Sequence, residues 1–261
     1  MPVSFKKYDF LYGIAERRFM YTFRSRIRYS ETDKNAYLTP ESLINYFQDC
    51  STFQTEEGPA NMEYLKKMNM AWVLSSWQIE VFRYPRLCEE VVIGTIPYEI
   101  KGFFGLRNFF MDTAEGERLA VANSVWVLCD MIKGVPRRIT PEIISAYPVE
   151  EKLPMNYDAR KISLPKDAIA EPSEEIVVRR HHLDTNNHVN NGQYIRMAID
   201  ALGDDKVVIC GIRAEYRKQA RLGDVLYPEV MKVSKDGTMA YTICLRDDEK
   251  SPVCIVELTT Q

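Results

Sequence analysis

The residues best suited to chemistry are concentrated between positions 180 and 194, a segment that holds all three histidines of the chain. Within it Asp184, Asn186 and His188 are spaced i, i+2 and i+4, which places their side chains on one side of an extended segment but not on one face of a helix. A carboxylate, an amide and an imidazole can together accept a proton and orient a polar substrate near neutral pH. We therefore predict a catalytic centre here, in a loop or at a strand end.

The residues that follow predict a helix. Asn190 or Asn191 is a good N-cap, and Gly203 can close the helix at its other end. Between them the apolar residues recur at helical spacing, at Tyr194, Ile195, Ala198, Ile199 and Leu202. The free backbone N–H groups of such a helix N-terminus could stabilise a developing oxyanion, so Asn191 is a supporting site residue.

Other interpretations of this segment lead to different chemistry. The spacing His-His-x5-His matches no common metal-ligand pattern, and we predict neither a metal nor a cofactor. No Gly-x-Ser-x-Gly motif occurs in the sequence, which argues against a serine hydrolase of that type. Asp184 and Asn186 could instead form only Asx-type hydrogen bonds that cap the turn, with His188 packed beneath the helix. The residues alone leave that structural alternative open.

Composition limits the class of protein. A chain of 261 residues with 27% charged residues and a net charge of -3 is typical of a globular protein without a global nucleic-acid-binding signature. The six cysteines form no Cys-x-x-Cys pair, and residues 1–19 contain no continuous apolar leader. No apolar stretch approaches the length of a membrane span. We expect a cytoplasmic protein with reduced thiols that binds neither membranes nor nucleic acid.

Strands and a long helix dominate the first half. Residues 21–30 alternate between apolar and polar side chains, which predicts a half-buried strand. Thr39, Pro40 and Glu41 mark the start of a long helix as N-cap, first residue and first-turn acid. Strands are predicted at 72–82, 90–100, 103–112 and 119–130, arranged as one antiparallel meander of sequential strands. Six of the thirteen prolines fall between 131 and 172, which predicts a surface linker with a short helix after Thr140.

The pattern of the first half then begins again. Aligning Asp33 with Asp184 brings Asp33-x-Asn35 onto Asp184-x-Asn186 and also superimposes the two helices. Residues 80–87 match residues 215–222, a turn is predicted at Asp236-Gly237, and residues 252–258 form a last strand. Tyr37 stands where His188 stands, so only the second copy has the imidazole. We predict an α+β tandem duplication with an N-terminal unit at 1–135, a proline-rich linker at 136–172 and a catalytic C-terminal unit at 173–261.

These residues resemble a known family. Leu-Asp-Thr-Asn-Asn-His-Val-Asn-Asn at 183–191, followed by Glu-Tyr-Arg-Lys at 215–218, is similar to the acyl-acyl-carrier-protein thioesterases of plants and bacteria. Phe-Arg-Tyr-Pro at 82–85 and Asn-Tyr-Phe-Gln-Asp at 45–49 extend the likeness over nearly the whole chain. The resemblance implies two hot-dog units, each an antiparallel sheet wrapped around its long helix, packed as a pseudo-dimer. It also implies catalysis by Asp184, Asn186 and His188.

The sequence departs from the family at one point near the proposed site. Plant members carry a Glu-Cys pair where this chain has Gln219-Ala220. A cysteine nucleophile is therefore excluded at that place, and Gln219 can orient a water molecule but cannot take its proton. The resemblance also implies that the N-terminal unit shapes the acyl pocket. Candidate pocket residues are Leu43, Phe47, Met68, Met70, Trp72 and Trp77, each of which could equally be ordinary core.

The expected activity is hydrolysis of an acyl-acyl carrier protein thioester by water, with Asp184 or His188 as the base. The partner would be the acidic acyl carrier protein bearing a phosphopantetheine thioester, and nearby cations are candidate docking charges: Arg179, Arg180, Arg213, Arg217 and Lys218. Three alternatives remain: an acyl-CoA thioesterase of the same fold, a hot-dog dehydratase or hydratase, and a non-catalytic acyl-thioester binding protein. The sequence is compatible with a homodimer.

Overall fold

The first long helix begins at the predicted capping residues. The computed structural model describes residues 20–165, 167–203, 207–235 and 238–261. Helix α1 (Pro40–Glu57) starts after Thr39, whose side chain accepts the backbone N–H of Ser42 at 3.2 Å. A proline at the first helical position costs no hydrogen bond, because that N–H has no intrahelical acceptor. One face of α1 is buried, and its larger buried side chains are Leu43, Ile44, Tyr46, Phe47 and Cys50.

The remaining elements of the N-terminal half are mostly strands. We call β1–β6 with α1–α3 the N-terminal unit. Its strands are β1 (Tyr21–Arg26), β2 (Met70–Val81), β3 (Glu90–Lys101), β4 (Phe104–Thr113), β5 (Arg118–Asp130) and β6 (Val135–Pro136). The two short helices are α2 (Met62–Lys67) and α3 (Pro141–Ala146), the latter directly after Thr140 as predicted.

The order of these strands corrects one prediction. Strands β3, β4 and β5 form an antiparallel meander, but β2 pairs with the far side of β5 and not with β3. The prediction of one meander in sequence order is therefore wrong at β2. The connection from β2 to β3 does not close a hairpin, because its backbone bonds instead to the segment before α1, from Leu38 N–H to Pro85 O and from Leu87 N–H to Ala36 O, both at 2.9 Å.

The C-terminal half repeats this plan. We call β7–β12 with α4 the C-terminal unit. Helix α4 (Asn191–Leu202) ends at Gly203, whose φ of 64° is the left-handed conformation expected of a helix-closing glycine. The strands are β7 (Ala170–Pro172), β8 (Ile176–Val177), β9 (Ile209–Tyr216), β10 (Val225–Lys235), β11 (Thr238–Arg246) and β12 (Pro252–Thr260). The turn predicted at Asp236-Gly237 lies outside the described residues.

The two units share one antiparallel sheet. Its strands run in the order β1-β3-β4-β5-β2-β9-β12-β11-β10-β7. The two units meet between β2 and β9, and outward from this junction the strands of the second unit follow the same order as those of the first. At that junction β2 pairs with β9, with Ser76 opposite Glu215 and Glu80 opposite Gly211. The buried faces of α1 and α4 belong to one apolar core together with the inner face of the sheet. This is the predicted pair of hot-dog units packed as a pseudo-dimer.

The proline-rich segment between the units packs more closely than a surface linker. Leu153 is buried with Ile96, Phe110 and Val121 on the outer face of the N-terminal unit's sheet. Ile162 occupies the equivalent place on the C-terminal unit. The linker therefore covers part of the sheet face opposite the helices, which explains why these strands are apolar on both faces. Among the described helices, none combines the length and apolar character needed to cross a membrane.

Candidate functional site

The predicted catalytic segment is a closed loop between a short 3-10 turn (Arg180–His182) and α4. The backbone N–H of Asp184 donates to the carbonyl of His188 at 2.8 Å. In return, Asp184 Oδ1 accepts the backbone N–H groups of Asn186 at 2.8 Å and of His188 at 3.1 Å. The segment is thus a loop, as the sequence requires, and the carboxylate of Asp184 holds it closed.

The same loop exists in the N-terminal unit. Asp33 Oδ1 accepts the backbone N–H groups of Asn35 and Tyr37, both at 2.9 Å. Asp33 and Asp184 therefore both form the Asx-type hydrogen bonds that the sequence left as an alternative for Asp184. What distinguishes the second copy is the side chain at its fifth position, the imidazole of His188 in place of the Tyr37 phenol.

The three predicted catalytic residues are neighbours in the loop, but no side-chain hydrogen bond among the described residues joins them. Asp184 and His188 are half-buried and joined through the backbone, whereas Asn186 is more exposed. Within the described part of the chain, no side chain–side chain hydrogen bond joins any two of them, since the bonds of Asp184 go to backbone groups. A shared catalytic role for these residues stays a prediction.

The imidazole of His182 holds the start of the loop. Its Nδ1 accepts the backbone N–H of Arg179 at 3.0 Å, and its carbonyl accepts the N–H of Asn190 at 2.9 Å. Burial lowers the pKa of His182 from its ordinary value of 6.5, and the positive charges of His181, Arg196 and Arg179 lower it further. The neutral ring, which the bond to Nδ1 requires, is therefore favoured at neutral pH. This positioning role of His182 was not predicted from the sequence.

The N-terminus of α4 is anchored to the other unit. Asn190 caps α4 by accepting the N–H of Gly192 at 2.9 Å. The side chain of Asn191 donates to Gln48 Oε1 on α1 at 2.7 Å, so this amide is committed to holding the helix. A Cβ at Gly192 would lie 2.8 Å from Asn45 Oδ1, which explains a glycine at this close approach of the two helices. Gln48 was missed as a site residue, although it belongs to the Asn-Tyr-Phe-Gln-Asp run that contributes to the resemblance.

A cavity of about 740 Å³ lies beside the C-terminal half of α1. Its walls come from α1, α2, strands β2 to β5 and the side chain of Tyr147, all in the N-terminal unit. Asn186 is the lining residue that the C-terminal unit contributes among the described residues. The volume is in the range of small-molecule sites, and the cavity connects the predicted catalytic loop with the apolar interior of the other unit.

Most candidate pocket residues lie either in the lining of this cavity or in the core, but Met68 is 40% exposed and lies in neither. Trp72 and Met70 line the cavity. Leu43 and Phe47 are 1% and 0% exposed and do not line it, because their side chains point from α1 into the core beneath. Trp77 lies in the same core, where its ring centroid is 4.9 Å from that of Phe109. For Leu43, Phe47 and Trp77 the structure therefore favours the ordinary-core interpretation.

The candidate docking cations differ in their availability. Arg217 Nη2 donates to Glu215 Oε2 at 2.9 Å and Lys218 is paired with Asp247 at 2.6 Å. Arg213 is similarly paired with Glu257 at 3.1 Å. Arg180 is exposed and has no carboxylate partner in the described ranges. It is therefore the better docking candidate of the two arginines, Arg180 and Arg217.

Gln219 lies beside the predicted catalytic loop. The N–H of Val189 donates to the carbonyl of Ala220 at 2.9 Å, and the N–H of Ala220 donates to the Tyr194 hydroxyl at 2.9 Å. These bonds hold the segment after β9 that carries Gln219 against residues 188–189. The exposed amide of Gln219 is thus near the place where a substrate reaching the loop would lie. In residues 20–261, outside the undescribed gaps, no group of three or more His, Cys, Asp and Glu side chains is arranged to hold a metal ion.

Comparison with known proteins gives the same architecture. Solved structures with this fold include an acyl-ACP thioesterase from Bacteroides thetaiotaomicron, with a TM-score of 0.82 and 21% identity over 93% of this chain and 98% of that one. Another is the 12:0-ACP thioesterase from Umbellularia californica, with a TM-score of 0.81 and 19% identity over 93% of this chain and 94% of that one.

Curated relatives are more similar in sequence. An oleoyl-acyl carrier protein thioesterase of Arabidopsis thaliana, described as chloroplastic, is 26% identical over 82% of this chain and 63% of its own length. A chloroplastic acyl-[acyl-carrier-protein] hydrolase of Cuphea viscosissima is 27% identical over 76% of this chain and 51% of its own length. The chain thus spans about half to two thirds of the length of these relatives.

Two family models cover most of the chain. The model of the acyl-ACP thioesterase N-terminal domain matches residues 18–147. The model of the acyl-ACP thioesterase C-terminal domain matches residues 166–256. These matches fall on the two units of the shared sheet and leave the middle of the linker between them. Together with the tandem architecture, they place the chain in the acyl-ACP thioesterase family.

Proposed function

We propose that this chain hydrolyses the thioester of a fatty acyl chain carried by acyl carrier protein, releasing the free fatty acid and the carrier's phosphopantetheine thiol. The observation that carries the proposal is the cavity of about 740 Å³ into which the Asn186 loop reaches. An acyl chain in this cavity would have its thioester end at the loop of the C-terminal unit. Family membership supports the same reaction class.

We assign the proton-accepting role to His188. Oδ1 of Asp184 already accepts two backbone N–H groups, whereas the imidazole of His188 makes no hydrogen bond to the described part of the chain. Water would add to the thioester carbonyl carbon as His188 takes its proton. The carbon–sulfur bond then breaks, and the imidazolium returns a proton to the sulfur. The leaving thiol needs little further help, because an ordinary thiol has a pKa of about 8.5.

Asn186 and the start of α4 would bind the oxygens. The Asn186 side chain lines the cavity and can donate to the carbonyl oxygen or hold the water. The N-terminus of α4 provides a favourable electrostatic environment for the oxyanion, since the aligned peptide dipoles of the helix place partial positive charge at this end. Asn191 contributes indirectly, because its side chain bonds to Gln48 and fixes the position of that helix end.

Thiol release separates this function from its alternatives. One acyl chain is presented as its acyl carrier protein thioester and as its CoA thioester, and free thiol is followed with a thiol reagent. We expect thiol release from both thioesters, with a higher kcat/KM for the acyl carrier protein thioester. Preference for CoA would instead indicate an acyl-CoA thioesterase. Binding without thiol release would indicate a dehydratase or a non-catalytic binding protein.

Gln219 should contribute much less to kcat/KM than His188. We expect Gln219→Ala to lower kcat/KM no more than about tenfold, because the lost neutral hydrogen bond to water or substrate contributes about 0.5–1.5 kcal/mol. Steady-state thiol release measures the loss, and Gln219→Glu is the size-matched control that restores a carboxylate. A loss as large as that of His188→Ala would show that the amide is as important to the reaction as the imidazole.

Docking of the acidic carrier should depend on Arg180. We expect Arg180→Glu to raise KM for acyl carrier protein substrates about threefold to tenfold with little change in kcat, because an exposed ion pair contributes about 0.2–1 kcal/mol and charge reversal adds repulsion. Added salt should shrink the difference. Arg24→Glu, on the outermost strand β1, is the matched control. An equal effect of Arg24→Glu would contradict a docking site near the loop.

The cytoplasmic location and a homodimer stay predictions.

A further inference from the structure

Arg107 is a buried cation in the wall of the cavity. It lies on β4 and is 8% exposed. Its Nη1 donates to Gln54 Oε1 and to Thr95 Oγ1, the latter at 3.1 Å. The guanidinium carbon lies 5.8 Å from the centre of the Tyr147 ring. These neutral partners use two of its five N–H donors, and Nε and Nη2 make no hydrogen bond to the described part of the chain.

A second largely buried arginine of the N-terminal unit, Arg118, is paired with a carboxylate. Arg118 and Asp112, whose side chains are 11% and 7% exposed, form an ion pair. In the described ranges, no carboxylate lies within ion-pair distance of Arg107. Burial lowers the pKa of Arg107 to about 10, so its guanidinium is still charged at neutral pH. A buried charge without a counter-charge is costly, which indicates that the partner of Arg107 comes from outside the chain.

A partner bound by Arg107 would lie at a distance from the thioester. Gln54, which accepts from Arg107, follows Gln48 by six residues on α1. That separation is roughly 9 Å along the helix axis, at 1.5 Å per residue. Gln48 contacts Asn191 at the N-terminus of α4, where the proposed reaction occurs. A group on Arg107 would therefore lie well along the acyl chain from the carbonyl carbon.

We propose that Arg107 binds an oxygen atom carried on the acyl chain away from the thioester, so that the preferred substrates are oxygenated acyl chains. This inference rests on the proposed function. The cavity wall around Arg107 is otherwise largely apolar, with Trp72, Leu106 and Trp126. An unsubstituted chain would displace water from the guanidinium and leave its free N–H donors without an acceptor. A hydroxyl or a terminal carboxylate on the chain would satisfy them.

Matched substrates test this preference. Thiol release is measured with acyl carrier protein thioesters of one chain length that are unsubstituted, hydroxylated at successive positions, or terminated by a carboxylate. We expect the wild-type protein to favour at least one oxygenated substrate by about tenfold or more in kcat/KM, because a site that hydrogen-bonds an oxygen rejects the analogue that lacks it. The position and type of the favoured oxygen then distinguish hydroxyl from carboxylate recognition.

Two variants connect the preference to the guanidinium. Arg107→Met removes the charge at similar length and should reduce the oxygenated-to-unsubstituted ratio to about one, with Arg107→Lys in between. The ratio is compared within each variant, so loss of folded protein cancels. The inference is overturned if the wild-type protein favours the unsubstituted chain over every oxygenated one, or if Arg107→Met leaves the ratio unchanged.

Binding of free fatty acids separates this inference from the proposed function. Isothermal titration with unsubstituted, hydroxylated and dicarboxylic acids of one length should show tighter binding of an oxygenated acid, lost in Arg107→Met. That result without thiol release would contradict the proposed hydrolysis and leave Arg107 recognition standing. Thiol release from all substrates, without any preference in either assay, would contradict Arg107 recognition alone.

Discussion

Replacing His188 by alanine should lower kcat/KM for acyl carrier protein thioesters by about a hundredfold or more. A positioned general base contributes about 10²–10⁴-fold, and His188 carries the imidazole of the loop that begins at Asp184. The substitution should leave folding largely intact, because the hydrogen bonds that the structure gives His188 are made by its backbone. Steady-state thiol release and thermal denaturation of the same preparation measure both effects.

The internal repeat provides the control for the neighbouring aspartate. Asp184→Asn and Asp33→Asn each keep an oxygen that can accept the two backbone N–H groups of their loops. We expect similar small changes in stability for the two variants but a large loss of activity only for Asp184→Asn, because the negative charge of Asp184 would stabilise the imidazolium that forms on nearby His188. Equal activity of the two variants would show that Asp184 acts as a turn residue and nothing more. Activity of His188→Ala within a few fold of wild type would contradict its assignment as the base.

Replacing Phe47 by alanine should destabilise the protein by about 3–5 kcal/mol, as is usual when a fully buried phenylalanine is truncated. Phe47 is 0% exposed, and its ring centroid lies 5.5 Å from that of Phe109 and 6.1 Å from that of Trp77. Few neighbours could close the resulting space, because they belong to α1 and the rigid sheet. Urea denaturation of wild type and variant measures the change in the free energy of unfolding.

Trp72→Ala is the matched substitution in the cavity wall. Trp72 is partly exposed, lines the cavity and packs edge-on against Tyr147 at 6.1 Å between ring centroids. We expect a smaller loss of stability and a shift of activity toward longer or bulkier acyl chains, because the variant enlarges the cavity. The opposite pattern, in which Phe47→Ala is stable but changes chain preference, would mean that acyl chains enter the core beneath α1.

Local signals were enough to predict much of the fold. The capping residues Thr39, Asn190 and Gly203 mark the ends of α1 and α4 because capping depends on nearby backbone groups. The repeat in the sequence predicted two similar units. The place of β2 beside β5 was missed, since hydrophobic alternation gives the existence of a strand and not its partner. The burial of Leu153 and Ile162 was missed because a proline-rich segment shows no period that would reveal its anchors.

The part of the candidate site that was predicted from the sequence is the part formed by residues close together in the chain. The loop from Asp184 to His188 is a local structure with a recognisable pattern. The cavity, the contact of Gln48 with Asn191 and the unpaired charge of Arg107 arise from residues far apart in the chain. Their meaning depends on which side chains the sheet and helices bring together. For the same reason the sequence could not divide Trp72, in the cavity, from Phe47 and Leu43, in the core.

We propose that acyl carrier protein thioesters are hydrolysed at the loop of the C-terminal unit. The most direct measurement incubates wild type and His188→Ala with a panel of acyl carrier protein thioesters and quantifies free thiol and free fatty acid together. We expect equal amounts of both products with wild type and at least about a hundredfold slower release with His188→Ala. Absence of thiol release by wild type, or equal rates for the two proteins, would contradict it.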